Sequence, residues 1–84
     1  MFDYLVLIEM EKGMQSCIFP AKKIAKLCEA YAKDGISLDC IRAYRLVRNA
    51  DPEPIRIAFD SKYCYLSLYN RYGLMIEGVN LHDN

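Results

Sequence analysis

Apolar residues recur at helical spacing in one stretch of the chain and at strand spacing through most of the rest. Between Phe19 and Gly35, Ile24, Leu27, Cys28 and Tyr31 stand at i, i+3, i+4 and i+7, one face of an α-helix. Ala21 and Ala32 widen that face, while Lys22, Lys26, Glu29 and Lys33 take the wet side, with Glu29 and Lys33 in the favourable i,i+4 order. Pro20 suits the first helical position, where its missing N–H costs nothing. Gly35 suits the left-handed residue that follows a helix end. The spacing predicts one long amphipathic helix over about residues 20–34.

Extended patterns surround it. Phe2 to Glu11 alternates, with Tyr4, Val6, Ile8 and Met10 on one face and Leu5 and Leu7 on the other. Apolar character on both faces predicts a central strand covered on both sides. Lys12-Gly13 supplies a turn, and Gln15 to Phe19 returns as a second strand. Ile36 to Cys40 reads as a linking loop. Ile41 to Arg48 reads as a strand, with a helix capped by Ser37 as its alternative. The break Asn49-Ala-Asp-Pro-Glu-Pro54 precedes a further strand from Ile55 to Phe59.

Asp60 to Tyr72 has two readings. As a strand, Tyr63, Tyr65, Ser67 and Tyr69 share a face. As a helix, Asp60 or Ser61 caps it, Tyr65, Leu66, Tyr69 and Tyr72 form a stripe, and Gly73 stops it. The start and stop signals favour a second helix over about 61–72. Leu74 to Val79 adds a last strand, and Leu81 to Asn84 is expected to fray. The expected fold is α+β, in the order β-β-α-β-β-α(-β). An antiparallel sheet of four to five strands carries the first helix on one face. The face bearing Leu5 and Leu7 is left for the second helix or another copy of the chain.

Size sharpens that expectation. The 84 residues make a single domain, 1–84. A chain this short buries only about 60–65% of its unfolded surface. Its hydrophobic fraction is 54%, against about 45–50% in ordinary soluble domains. The excess belongs in a dense core or against a partner. With 11 basic and 11 acidic residues the net charge is zero, so global charge gives no pull toward nucleic acid or anionic membranes. Cys17, Cys28, Cys40 and Cys64 are widely spaced and read as buried thiols acting as small hydrophobes. The apolar run Leu5 to Ile8 is too short for a signal peptide and follows Asp3, so a reducing cytoplasm is the expected setting.

Reactive chemistry is sparse. His82 is the one histidine and falls in the tail, and no ligand pair has finger-like spacing, so no metal, cofactor or catalytic residue is expected. Gly13, Gly35, Gly73 and Gly78 stand singly rather than in a phosphate loop. Glu9 and Glu11 share a strand side but read as a solvated strand end. Positive charge gathers at Arg42, Arg45 and Arg48, with Arg56 beyond the break. At period two, Arg42, Tyr44 and Arg48 share a face, the pattern of a phosphate-tracking groove with a stacking ring. Lys22 and Lys23 oppose the helix dipole and make an anion-attracting corner.

Tyrosine is the remaining signal. Tyr63, Tyr65, Tyr69 and Tyr72 cluster within ten residues, and tyrosine suits interfaces because it buries area while its tip stays wet. The expected function is a small non-catalytic protein-interaction module that self-associates, with Leu5, Leu7 and those four tyrosines at its interface. A short chain without catalytic groups fits an accessory or inhibitor protein of a phage or mobile element. The competing expectation is a nucleic-acid or nucleotide binder using Lys22, Lys23, Arg42, Tyr44, Arg48 and Arg56.

Overall fold

The computed structural model describes residues 2–82. The helical stretch forms α1 (Ala21–Lys33), and the extended stretches form β1 (Asp3–Met10), β2 (Gly13–Pro20), β3 (Ile41–Arg45), β4 (Glu53–Asp60), β5 (Tyr65–Tyr69) and β6 (Met75–Asn80). All neighbouring strands run antiparallel in one sheet, in the spatial order β2-β1-β3-β4-β5-β6. The α+β class stands, but the sheet has six strands rather than four to five. The element order is β-β-α-β-β-β-β.

Helix α1 ends as its sequence dictates but starts one residue later than expected, because Pro20 stays extended as the last residue of β2 instead of taking the first helical position. Pro20 is extended at the N-cap position, immediately before the first helical residue. At the other end Gly35 adopts φ +68°, its N–H donates to Ala32 O at 3.2 Å, and the Ile36 N–H donates to Tyr31 O at 2.9 Å. That crossed pair is the Schellman stop, which a side chain at Gly35 would strain. The helix buries Ala21, Ile24, Ala25 and Cys28 against the sheet, with Leu27 and Tyr31 at the margin.

The expected second helix over 61–72 does not exist. Asp60 does cap, but it caps a hairpin turn: its Oδ1 accepts the N–H groups of Lys62 (3.0 Å) and Tyr63 (3.3 Å). Cys64 then takes a left-handed φ of +50° and returns the chain into β5. Asn70 accepts from the N–H groups of Tyr72 and Leu74, and Gly73, at φ +83°, completes the turn into β6. The same side chains that start and stop helices also close hairpins, because both need a local acceptor and a residue tolerant of positive φ. Packing decides between them. Leu66 and Leu68 are fully buried at period two, which a strand allows and a helical stripe through Tyr65, Tyr69 and Tyr72 does not.

Two smaller differences matter for the surface. Ser37 caps a 3₁₀ turn, Leu38–Cys40, and β3 follows but ends at Arg45, so Arg48 leaves the strand. β1 is central, between β2 and β3, yet it is covered on one face only. Tyr4, Val6 and Ile8 are buried beneath α1, whereas Leu5 and Leu7 on the opposite face are half-buried.

The sheet curls around α1. Four strand spacings of about 4.8 Å separate β1 from β6, a flat distance no side-chain pair spans. Even so, the Tyr4 hydroxyl donates to Glu77 Oε1 at 2.7 Å across the helix-bearing face. That face is therefore concave and the opposite face convex. Tyr4 is completely buried, so desolvation, reinforced by the Glu77 carboxylate, holds its phenol protonated well above the ordinary tyrosine range. Arg45 lies beside it, paired with Glu53 at 3.0 Å and stacked 4.8 Å from the Phe2 ring. Among the described residues no helix is long and apolar enough to cross a membrane.

Candidate functional site

Strand register places most of the predicted binding residues on the convex face. Ile18, Leu5, Tyr44 and Pro54 stand opposite one another across β2, β1, β3 and β4. The next row beside them holds Ser16, Leu7 and Arg42. On the other half of the sheet Arg56 opposes Tyr69, and its guanidinium lies 4.7 Å from that ring's centre. Ala58, Ser67 and Gly78 form a row of small residues, flanked by the row Asp60, Tyr65 and Asn80. The Tyr65 ring leans across Gly78 into space that a β-carbon there would fill.

The tyrosines are therefore split. Tyr65 and Tyr69 belong to the convex face, whereas Tyr63 and Tyr72 occupy the turns at either end of β5, exposed to 61% and 75%. The basic candidates divide too. Arg42, Tyr44 and Arg56 share the convex face, but Arg48 lies in the β3–β4 loop and Arg45 faces the helix side with Glu53. Lys22 and Lys23 sit in the first turn of α1, away from that face, with the Lys23 ammonium 5.7 Å from the Phe19 ring. No single groove gathers all six.

The convex face runs into a sheet edge. β2 has a neighbour on one side only, and its sequence, Gly-Met-Gln-Ser-Cys-Ile-Phe-Pro, contains no charge. The two-residue turn before it makes Met10 and Gly13 the hydrogen-bonded closing pair, so alternate residues Met14, Ser16 and Ile18 aim N–H and C=O away from β1. Ile18 and Met14 are 64% and 58% exposed, unusually wet for such side chains.

A second constellation lies elsewhere, below the helix's last turns. Ligand atoms of Glu29, Cys64 and His82 all fall within 4.8 Å of one another. α1 supplies Glu29, the β4–β5 turn supplies Cys64, and the turn after β6 supplies His82. Leu81 N–H donates to Cys64 O at 3.0 Å, and Asn80 Oδ1 accepts the His82 N–H at 3.0 Å. These bonds hold residues 81–82 in a turn rather than a frayed tail; Asp83 and Asn84 lie outside the described residues. A hollow of about 130 Å³ adjoins the cluster, lined by Glu29, Ala32, Lys33, Phe59, Ser61 and Cys64. Contact with the Glu29 carboxylate raises the Cys64 pKa, and Lys33, 4.0 Å from Glu29, opposes this weakly. A thiol that holds its proton is a poorer nucleophile than a thiolate.

Cys28 differs: it is buried under the sheet and its thiol is pushed up to about 11 by desolvation. Cys64 is half-exposed rather than buried among tyrosines and leucines. Nothing in local spacing announces the trio. The two hairpins that follow β4 bring Cys64 and His82 together, and packing of α1 on the sheet adds Glu29; the turn at Asp60 to Cys64 is the one sequence signal that points there. No protein-family model, no curated protein and no solved structure matches this chain.

Proposed function

We propose that this chain is a small protein-interaction module that pairs with a second copy of itself through β2, extending the sheet across a two-fold axis. The observation carrying this reading is the uncharged eight-residue edge strand, continuous with the half-buried Leu5 and Leu7. Exposed, flat, apolar edges are templates for another strand, and soluble proteins ordinarily guard them with charge, proline or a bulge. Pro20 closes one end of β2, and the seven residues before it carry no such guard.

Antiparallel self-pairing centred on Ser16 is favoured by geometry. It brings the outward N–H and C=O of Ser16 onto those of its symmetry mate, and seats Ile18 against the mate's Met14. Both apolar side chains leave water, and outward backbone groups find partners. Leu5 and Leu7, one strand in, border the new contact.

Sedimentation of the full chain at micromolar concentration tests this. A dimer is expected for the wild type and a monomer for Ser16→Pro, which removes one outward N–H while leaving the β1–β2 ladder intact. A monomeric wild type, or a dimer that survives Ser16→Pro with unchanged affinity, would overturn the proposal.

Arg42, Tyr44 and Arg56 on one face support a second reading, contact with single-stranded nucleic acid by stacking and phosphate pairing. Oligonucleotide binding whose affinity falls steeply with salt and is lost in Tyr44→Ala favours that reading. The split of the remaining basic residues weighs against it.

A further inference from the structure

We propose that Glu29, Cys64 and His82 form a binding site for one zinc-like divalent transition-metal ion, clasping the C-terminal turn and the β4–β5 turn to helix α1. Three elements distant in sequence each deliver one donor to the same point, and all three donor atoms lie within 4.8 Å of one another. Ligands of a tetrahedral zinc sit roughly 3.4–3.6 Å apart, given bonds of about 2.0–2.3 Å. The cluster is thus about one ångström wider than a loaded site. Glu29 is half-buried and His82 exposed, so the proposed site requires their side chains to rotate inward by that amount.

The donor set selects the metal. One thiolate, one imidazole and one carboxylate suit zinc, whereas magnesium and calcium demand oxygen throughout. Binding replaces the Cys64 S–H bond with an S–metal bond and releases that proton to solvent; no electron is transferred. Three protein donors leave a fourth position for water.

Nearby charges are compatible with this. Asp60, at the head of the same turn, adds negative potential while its Oδ1 stays engaged with Lys62 and Tyr63. Lys33 places a cation 4.0 Å from Glu29, and its side chain is 74% exposed, so it has room to swing away. The backbone supports the donors independently of any ion, since the Leu81–Cys64 and His82–Asn80 hydrogen bonds hold both turns. The backbone that carries the donors is therefore held before an ion binds, and the ordering cost falls on the donor side chains.

Cobalt(II) titration of the reduced full-length protein tests the site. A thiolate-to-cobalt charge-transfer band in the near ultraviolet is expected, saturating at one ion per chain and erased by one equivalent of Zn²⁺. The band is lost in Cys64→Ser, weaker in His82→Gln and Glu29→Gln, and unchanged in Cys17→Ser and Cys40→Ser. No band at millimolar cobalt, or one that survives Cys64→Ser, overturns the proposal. Zn²⁺ should also raise the melting temperature of the wild type and leave that of Cys64→Ser unmoved; equal shifts would count against the site. The Ser16→Pro variant retains the band, which separates this result from that of the edge pairing.

Discussion

The two edges of the sheet have opposite designs. β6 is six residues long, carries Glu77, Gly78 and Asn80, and slips register against β5 at Leu68/Tyr69. A charge and a bulge are among the devices that keep an edge from recruiting another strand. β2 is eight residues long, holds register with β1 at every position, and is uncharged. One small sheet therefore has one guarded edge and one open edge. Solubility alone would favour guarding both, and this difference is the ground on which the proposed pairing through β2 rests.

Matched charges break that comparison most severely. Ile18→Lys on β2 and Met75→Lys on β6 each place a cation on an exposed apolar position, 64% and 54% exposed in the parent. Dissociation to monomer is expected for Ile18→Lys, and no change in sedimentation for Met75→Lys. If both variants dissociate, or neither does, the two edges are equivalent and β2 has no special role.

Next in size is the bond that ties the two halves of the sheet together. Tyr4→Phe removes the hydroxyl that reaches Glu77. A hydrogen bond to a charged group contributes about 1.5–3 kcal/mol, and the low end applies because Glu77 is half-buried and regains water. For a domain of this size about 1.5 kcal/mol corresponds to a fall in Tm of about 6–12 °C. pH gives an independent check. Because burial raises the folded phenol's pKa, the unfolded chain loses this proton first, beginning near pH 10, the ordinary tyrosine value. The stability it contributes is complete below that pH and declines above it. Urea midpoints of the wild type should therefore drop more steeply above pH 10 than those of Tyr4→Phe. Parallel alkaline branches would mean that Tyr4 is not the buried tyrosine responsible.

Where the sequence was legible, several local rules agreed. In α1 the apolar face, the Glu29–Lys33 pair and Gly35 all point one way, and the structure follows each. The alternation of Tyr4, Val6 and Ile8 against Leu5 and Leu7 likewise gave the two faces of β1. Legibility failed at Asp60 to Gly73, where the caps were real but belonged to hairpins. Leu66 alone fits the helical stripe as well as a ladder; it is the pairing of Leu66 and Leu68 with Phe59, Ile57 and Val79 that decides for the strand. The alternation marks a second apolar face through Leu5 and Leu7, but neither its curvature nor the open edge beside it can be read there, because strand order is long-range information. The Glu29, Cys64 and His82 cluster was invisible for the same reason, and more completely.

The smallest expected effect lies on the guarded side, at Gly78. A β-carbon there would overlap the Tyr65 hydroxyl and come within 3.0 Å of Cζ. Those atoms are the far end of a half-buried ring at the surface, free to swing outward, so the clash is relieved by rotation rather than by moving strands. Against the lost ring contact stands the entropy that alanine removes from the unfolded chain, about 0.4–1 kcal/mol in favour of the variant. The two nearly cancel, and Gly78→Ala should change stability by less than about 0.5 kcal/mol. Its signature is elsewhere: Tyr65 ring resonances should lose the shifts that packing over the strand imposes, while sedimentation stays as in the wild type. Should Gly78→Ala instead alter assembly, the ring over Gly78 is part of a contact, and β6 is less completely guarded than its bulge and Glu77 imply.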